Sequence, residues 1–277
     1  MDNIGELLRV PSGPVDLSSI DTRATPGFDG DKKEGKEALA ALDGEISELQ
    51  SRLAAHGYTG GHRRLLLVLQ GMDTAGKGGV LKHAVGMLNP GGIHIKAFRA
   101  PTKQELAHDF LWRIEQETPE AGQIGIFDRS HYEDVLIGRV RGLAPEDEIE
   151  RRYEAINDFE RRLARDGTTI VKCMIHISKD EQRERLLARL DEPTKMWKFK
   201  PEDVDEREVW DDYQRAYEIA LERTDTDHAP WYVVPSDRKW YRTLAVAYLL
   251  RNALRAMELS WPEPDFDLEE QRRRLRE

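Results

Sequence analysis

Residues 65–79 read LLLVLQGMDTAGKGG, an apolar run that passes straight into a glycine-rich turn and a lysine. Apolar side chains at consecutive positions, without alternation, describe a strand covered on both faces, as in a parallel sheet. Gly71 and the Gly76-Lys77 pair then meet the spacing G-x-x-x-x-G-K, and a helix is expected to about Met87. Strand, loop and helix in that order are the setting in which this motif cradles phosphate. Small residues at Thr74, Ala75, Gly76, Gly78 and Gly79 let successive backbone N–H groups converge on phosphate oxygens, aided by the helix N-terminus. Lys77 adds a full charge nearer the bond being broken. A plain glycine turn with a surface lysine is the alternative, and it would not require all four parts together.

The chain around this stretch alternates strand and helix. Ile93–Phe98, Ile124–Phe127, Thr169–Ile177 and Trp231–Val234 read as further strands. Helical patterns occupy Gln104–Glu117, with Leu106, Phe110 and Ile114 on one stripe, and then 131–141, 146–165, about 179–190, 204–223 and 238–258. Another helix starts at Lys32, carries Leu39, Leu42, Ile46, Leu49 and Leu53 on one face, and ends by Gly57 and Gly60-Gly61. This alternation predicts the α/β class: a three-layer α/β/α domain on a five-stranded parallel sheet with right-handed crossovers. Residues 1–30 read as an extended arm lying over the domain or a neighbouring subunit. Residues 31–260 form the P-loop domain, and 261–277 a charged, loosely held tail.

Composition narrows the function classes. The 277 residues carry 42 Lys+Arg against 52 Asp+Glu, a net charge of −10, which argues against general nucleic-acid binding but leaves room for a local basic groove. No apolar run approaches the ~20 residues of a bilayer span, and no signal-peptide stretch is visible, so no membrane partner and a cytoplasmic protein are expected. Cys173 is the single cysteine, so an intramolecular disulfide is excluded, and the histidines lack zinc-ligand spacing.

One departure from the usual phosphate loop is informative. Gly78 follows Lys77, where NTP-hydrolysing proteins place a Ser or Thr hydroxyl on magnesium. Two carboxylates are candidate metal ligands instead: Asp73 inside the loop, and Asp128 at the end of the Ile124–Phe127 run, in the position of a Walker-B aspartate. Hard carboxylate oxygens suit magnesium. A turn-capping role is the plain alternative for Asp73.

Five segments together bring a family into view. GMDTAGKGG (71–79), FDRSHYED (127–134), KMWK (195–198), APWYVVP (229–235) and DRKWY (237–241) resemble the polyphosphate kinase 2 family, over roughly residues 30–260. The resemblance implies a thymidylate-kinase-like P-loop fold with a helical lid. It also implies magnesium-assisted transfer of the terminal phosphate of inorganic polyphosphate to a nucleotide, reversibly, with manganese as an alternative metal. Carried over residue by residue, it makes Asp73 and Asp128 the metal ligands and puts Lys77 on the phosphates around the transferred group. Arg129 would stabilise transition-state charge. Arg189, Lys195 and Lys198 would close on the phosphates from a lid at about 189–207. Lys82 and Lys103, with Lys96 and Arg99, are candidates for a polyphosphate channel, although each alone reads as a solvated charge.

Many members of the family read Asp-Arg-Ser-Trp-Tyr-Asn-Arg where this chain has DRSHYED. The difference resembles the subgroup, often called class III, that accepts both AMP and ADP. Glu133 is then a candidate for positioning a metal or a nucleotide phosphate, or else a carboxylate favoured by a helix N-terminus. The acceptor phosphate is largely ionised at neutral pH, so His131 is given no role as a base. A homo-oligomer, a dimer or tetramer, is implied by the resemblance alone. The competing readings are an ATP-dependent nucleoside or nucleotide kinase on the same fold, and a non-catalytic phosphate-binding module.

Overall fold

In the computed structural model, which describes residues 1–11 and 13–277, the chain begins with α1 (Ile4–Leu8) and reaches the domain body in α2 (Lys32–Ala41) and α3 (Asp43–Tyr58). Strand β1 (Arg64–Gln70) leads to α4 (Lys77–His83), β2 (Ile93–Ala97), α5 (Trp112–Glu115), β3 (Ile124–Asp128), α6 (Ile137–Val140) and α7 (Glu146–Arg165). The second half carries β4 (Thr168–His176), α8 (Lys179–Asp191), α9 (Glu202–Glu208), α10 (Trp210–Thr224), β5 (Trp231–Pro235), α11 (Lys239–Arg255) and α12 (Leu268–Arg276).

The strands form one parallel sheet in the order β2-β3-β1-β4-β5. Every residue of β1 from Leu65 to Gln70 is buried, and β4 is buried along nearly its whole length. Apolar side chains at successive positions bury on both faces only if both are covered. Here α2, α3, α4 and α11 pack together on one side and α6, α7 and α10 on the other. β1 lies between β3 and β4, with Leu69 opposite both Asp128 and Cys173. The crevice at the C-terminal end of β1, where the strand order diverges, is where open α/β sheets bind ligands.

Local sequence explains several helix starts. Asp31 and Glu34 form a reciprocal capping box on α2, and the Ser178 hydroxyl caps α8. α7 opens with Glu146, Asp147 and Glu148, which complement its dipole, and buries Ile149, Tyr153, Ile156 and Phe159 along one stripe.

The N-terminal arm lies on its own domain and is partly helical. Ile4 and Leu8 of α1 are buried, Val10 N–H donates to the Trp231 carbonyl (3.1 Å), and Arg9 pairs with Asp225 (3.0 Å). Residues 268–276 form an exposed helix stitched by pairs such as Arg273–Glu270.

Several helical expectations need correction. The helix expected from Lys32 to Gly57 divides at Leu42 into α2 and α3, and the one expected to about Met87 ends at His83, with a 3-10 turn over Val85–Met87. Gln104–Glu117 is not one helix: a 3-10 turn at Glu105–Ala107 and the short α5 are separated by an extended His108, and Leu106 is largely exposed. The Thr102 hydroxyl and Glu105 carboxylate cap the first piece, while Asp109 accepts from Leu111 N–H to start the second. The 131–141 segment divides into a 3-10 turn at His131–Asp134 and α6, and the 204–223 segment breaks at Val209 into α9 and α10. Among the described residues, no helix is long and apolar enough to cross a membrane.

Candidate active site

The turn after β1 bends through Gly71 at φ 152°, Thr74 at φ 61° and Gly76 at φ 115°. Thr74 is a β-branched residue in the left-handed region, a conformation that persists only where its surroundings enforce it. The enforcement is visible in the carbonyls. Lys77 Nζ donates to Gly71 O (2.7 Å) and Gln182 Nε2 to Asp73 O (3.0 Å). Arg185 Nη1 donates to Thr74 O (3.0 Å) and Ala75 O (2.8 Å). Ala75 O also accepts from Arg242 Nη1 (3.2 Å) and from the Ser236 hydroxyl.

A trans peptide aims its N–H opposite its carbonyl. With the carbonyls of Asp73, Thr74 and Ala75 drawn to these donors, the amides that follow them turn the other way. Ala75 N–H reaches Met72 O, but the N–H groups of Thr74, Gly76, Lys77 and Gly78 meet no protein acceptor among the described residues. Convergent free amides are an anion cradle. Lys77 is buried beside them; burial and the Arg129 charge lower its pKa, against the pull of Asp73 and Asp128.

The turn after β3 supplies the other wall. Arg129 sits at φ 64°, and its N–H donates to Leu69 O (3.0 Å), which ties β3's end to β1. Its side chain bridges two carboxylates: Nη2 reaches Asp73 Oδ1 at 2.6 Å and Nη1 reaches Glu133 Oε2 at 2.8 Å. Burial works against the guanidinium charge, but Glu133 and Asp73 outweigh it and hold the pKa above its ordinary value. Asp128 Oδ1 is buried without a hydrogen-bond partner. The cleft between the two turns is lined by Asp73, Arg129, Glu133, Glu206, Tyr213 and Tyr217.

His131 and Tyr132 point away from this cleft into a buried ionic cluster. Glu160 accepts from Tyr132 OH (2.8 Å) and Lys172 Nζ (2.6 Å) and lies 3.2 Å from His131 Nε2; Lys172 also donates to Thr224 O (2.8 Å). Burial opposes the Glu160 charge, yet Lys172 and His131 keep its carboxyl below the ordinary value.

The structure therefore places Asp73, Arg129 and Glu133 on the cleft wall, with Lys77 and Asp128 close enough to share their electrostatic field. Thr74, Ala75 and Gly76 lie in the adjoining turn and Gly78 at the start of α4, and these four do not line the cleft. Gly79 follows directly in α4. The residues expected to form a lid are engaged elsewhere. Arg189 donates to Lys198 O (3.2 Å) and pairs with Asp203 (3.3 Å), Lys195 pairs with Glu192 (2.5 Å), and Lys198 Nζ stands 5.1 Å from the Trp197 ring centroid. The same region is fastened by Arg207 to Gln182 Oε1 (2.7 Å) and by Glu206 to Arg141 (2.8 Å). Lys96 pairs with Glu117, whereas Lys82, Arg99 and Lys103 are exposed.

Sequence reading gave no role to Gln182, Arg185, Ser236 or Arg242. Their roles depend on contacts across more than 100 residues. One signal was available: DRKWY runs directly into Arg242.

Comparison with known proteins concerns the chain as a whole. A family model described as polyphosphate kinase 2 matches residues 29–262. The chain is 45% identical over 255 residues to an AMP/ADP-polyphosphate phosphotransferase of Meiothermus ruber, covering 92% of this chain and 94% of that one. It is 40% identical over 261 residues to an ADP-polyphosphate phosphotransferase of Rhodopseudomonas palustris, covering 90% and 89%. The crystal structure of polyphosphate kinase 2 from Arthrobacter aurescens superposes with a TM-score of 0.96 at 54% identity, covering 98% of this chain and 96% of that one. On a match of this extent, and on a phosphate loop built as described, the chain belongs to the polyphosphate kinase 2 family.

Proposed function

We propose that the protein transfers the terminal phosphoryl group of inorganic polyphosphate to AMP and to ADP, giving ADP and ATP, and catalyses the reverse. The observation that carries this reading is the set of amides at Thr74, Gly76, Lys77 and Gly78 that meet no acceptor among the described residues, beside the side chains of Lys77 and Arg129. The names of the relatives from Meiothermus ruber and Rhodopseudomonas palustris support the substrates. An ATP-dependent kinase on the same fold is disfavoured by Gly78, which lacks the hydroxyl such enzymes place on magnesium.

A divalent cation, magnesium or manganese, fits the carboxylates. Asp128 Oδ1 is a buried acceptor lacking a partner, and magnesium is commonly held by one or two carboxylates together with water and substrate phosphate. Asp73 and Asp128 would hold the ion, which when bound supplies positive charge to the phosphate oxygens.

The remaining chemistry belongs to the chain. The loop amides and Lys77 hold the end of the polyphosphate, and the ionised terminal oxygen of AMP or ADP attacks the last phosphorus in line. One P–O bond forms to the nucleotide and one breaks to the shortened polyphosphate, so no general base is required. Arg129 spreads the charge of the transferring group with a planar fork. Glu133, held by Arg129, positions the acceptor end across two successive transfers. Arg189, Lys195 and Lys198 of the lid at about 189–207 exchange their present partners for phosphate oxygens on closure, excluding water. Lys82, Lys96, Arg99 and Lys103 line the approach of the polyanion. The same reading expects a cytoplasmic homo-oligomer, a dimer or tetramer.

The test is a time course of AMP, ADP and ATP after AMP, magnesium and long-chain polyphosphate are mixed with the purified protein, beside a control starting from ADP. Successive ADP and ATP is the expected result. ADP without ATP in both runs would restrict the acceptor to AMP, and no product from either start would overturn the reading.

A further inference from the structure

Behind the phosphate loop lies a guanidinium whose charge no protein carboxylate balances. Arg242, on α11, is 4% exposed. Among the described residues its hydrogen bonding is limited to Nη1 on Ala75 O, its Nε has no acceptor, and it forms no salt bridge. Its charged neighbour is a second cation, Arg185; burial and that like charge push the Arg242 pKa down to about 10. Arg185 itself is fully served, by Glu181 (2.9 Å) and the carbonyls of Thr74, Ala75, Ser236 and Asp237.

The position of Arg242 is specific. A Cβ placed on Gly76 would stand 1.8 Å from Nη1, and one on Gly79 would stand 2.4 Å from Nη2. Both nitrogens are therefore pressed against the phosphate loop at Gly76 and the first turn of α4 at Gly79. Bracing Ala75 O does not account for it, since Arg185 and Ser236 already donate to that carbonyl. A buried charge without a counter-charge destabilises the fold, so its retention calls for an anion that arrives later.

We infer that Arg242 is a positioning residue for the donor: it presses on the loop at Ala75 and Gly76 and on α4 at Gly79, and its buried charge is balanced when a polyphosphate end occupies the free loop amides. This rests on the loop being the polyphosphate site. Arg242 needs no direct contact with the donor, because it acts through the loop and through its field in a poorly screened interior.

The experiment uses the full chain and inorganic tripolyphosphate with magnesium as the probe. Wild type, Arg242→Met and Arg242→Lys are compared by thermal unfolding, by calorimetric titration, and by KM for polyphosphate and for ADP. Arg242→Met is expected to melt at or above wild type without the anion. Its tripolyphosphate affinity should fall about tenfold, the scale of one charged interaction. The KM for polyphosphate should rise in step while the KM for ADP stays unchanged, and Arg242→Lys should recover most of the affinity. A Met variant that melts lower yet binds tripolyphosphate like wild type would make Arg242 a structural brace only and overturn the inference. If the Met variant does not fold, Arg242→Gln takes its place, a neutral side chain still able to donate to Ala75 O; full tripolyphosphate affinity there overturns the charge claim equally. Wild-type protein that ignores tripolyphosphate would remove the reading of the loop itself, whereas wild-type binding with unaffected variants removes this inference alone.

Discussion

Arg129 Nη2 stands 2.6 Å from Asp73 Oδ1, so the cation proposed to act on the transferring phosphate is held by a carboxylate proposed to hold the metal. The pair keeps the two turns of the cleft together, and the left-handed backbone of Arg129 aims the side chain across it. On the proposed function, a bound phosphate and metal would give Arg129 and Asp73 new partners in place of each other.

Arg129→Lys should therefore be a severe change. Lysine keeps the charge but cannot bridge Asp73 and Glu133 or grip two phosphate oxygens with a planar fork. The expected loss in kcat is about a hundredfold, the scale of one lost transition-state donor. The urea midpoint should move little, because the Arg129 side chain is 34% exposed and partly screened. Steady-state kinetics beside equilibrium unfolding checks both parts.

Salt should separate donor from acceptor. Lys82, Arg99 and Lys103 are exposed and would meet a long polyanion in screened solvent. Raising ionic strength is expected to raise the KM for long-chain polyphosphate more than the KM for AMP. Equal sensitivity of the two constants would show that these side chains do not track the chain.

The buried cluster behind the cleft gives a stability prediction. Lys172 and Glu160 are both essentially inaccessible, and Lys172 Nζ is satisfied by Glu160, Tyr132 and Thr224. Lys172→Met leaves Glu160 buried without its main partner and should cost about 3–5 kcal/mol. Adding Glu160→Leu should recover part of that loss in denaturant unfolding, since both members of the pair are then apolar.

His176 should carry part of the acid sensitivity. Its Nε2 donates to Leu17 O (3.0 Å), tying the arm to β4, and burial lowers its pKa below the ordinary value. A lowered histidine pKa means that below about pH 6.5 the unfolded chain takes up a proton that the folded chain refuses. Stability is then full above that pH and falls as pH drops towards the folded value. Urea midpoints measured at neutral and mildly acidic pH should differ less for His176→Gln than for wild type.

The strands were legible because parallel-sheet burial writes itself as apolar runs: Leu65–Leu69, Ile124–Phe127 and Trp231–Val234 all lie in the observed sheet. The loop was legible for a similar reason, since Gly71, Gly76 and Lys77 are required where the chain itself bends. Segments of short helix were misread where side-chain caps, such as Asp109 on Leu111 N–H, override a periodic stripe. Gln182 and Arg242 were not legible because their meaning lies in which distant carbonyl they meet. Periodicity carries no record of a contact between Arg242 and Ala75, 167 positions apart.

The most direct test of the central claim is 31P NMR of the purified protein with ADP, magnesium and long-chain polyphosphate, with no nucleoside triphosphate added. The account predicts growth of the ATP β-phosphate resonance matched by loss of polyphosphate phosphoryl groups, with no AMP formed in proportion. No ATP from polyphosphate, or ATP accompanied by equal AMP whether or not polyphosphate is present, would contradict it.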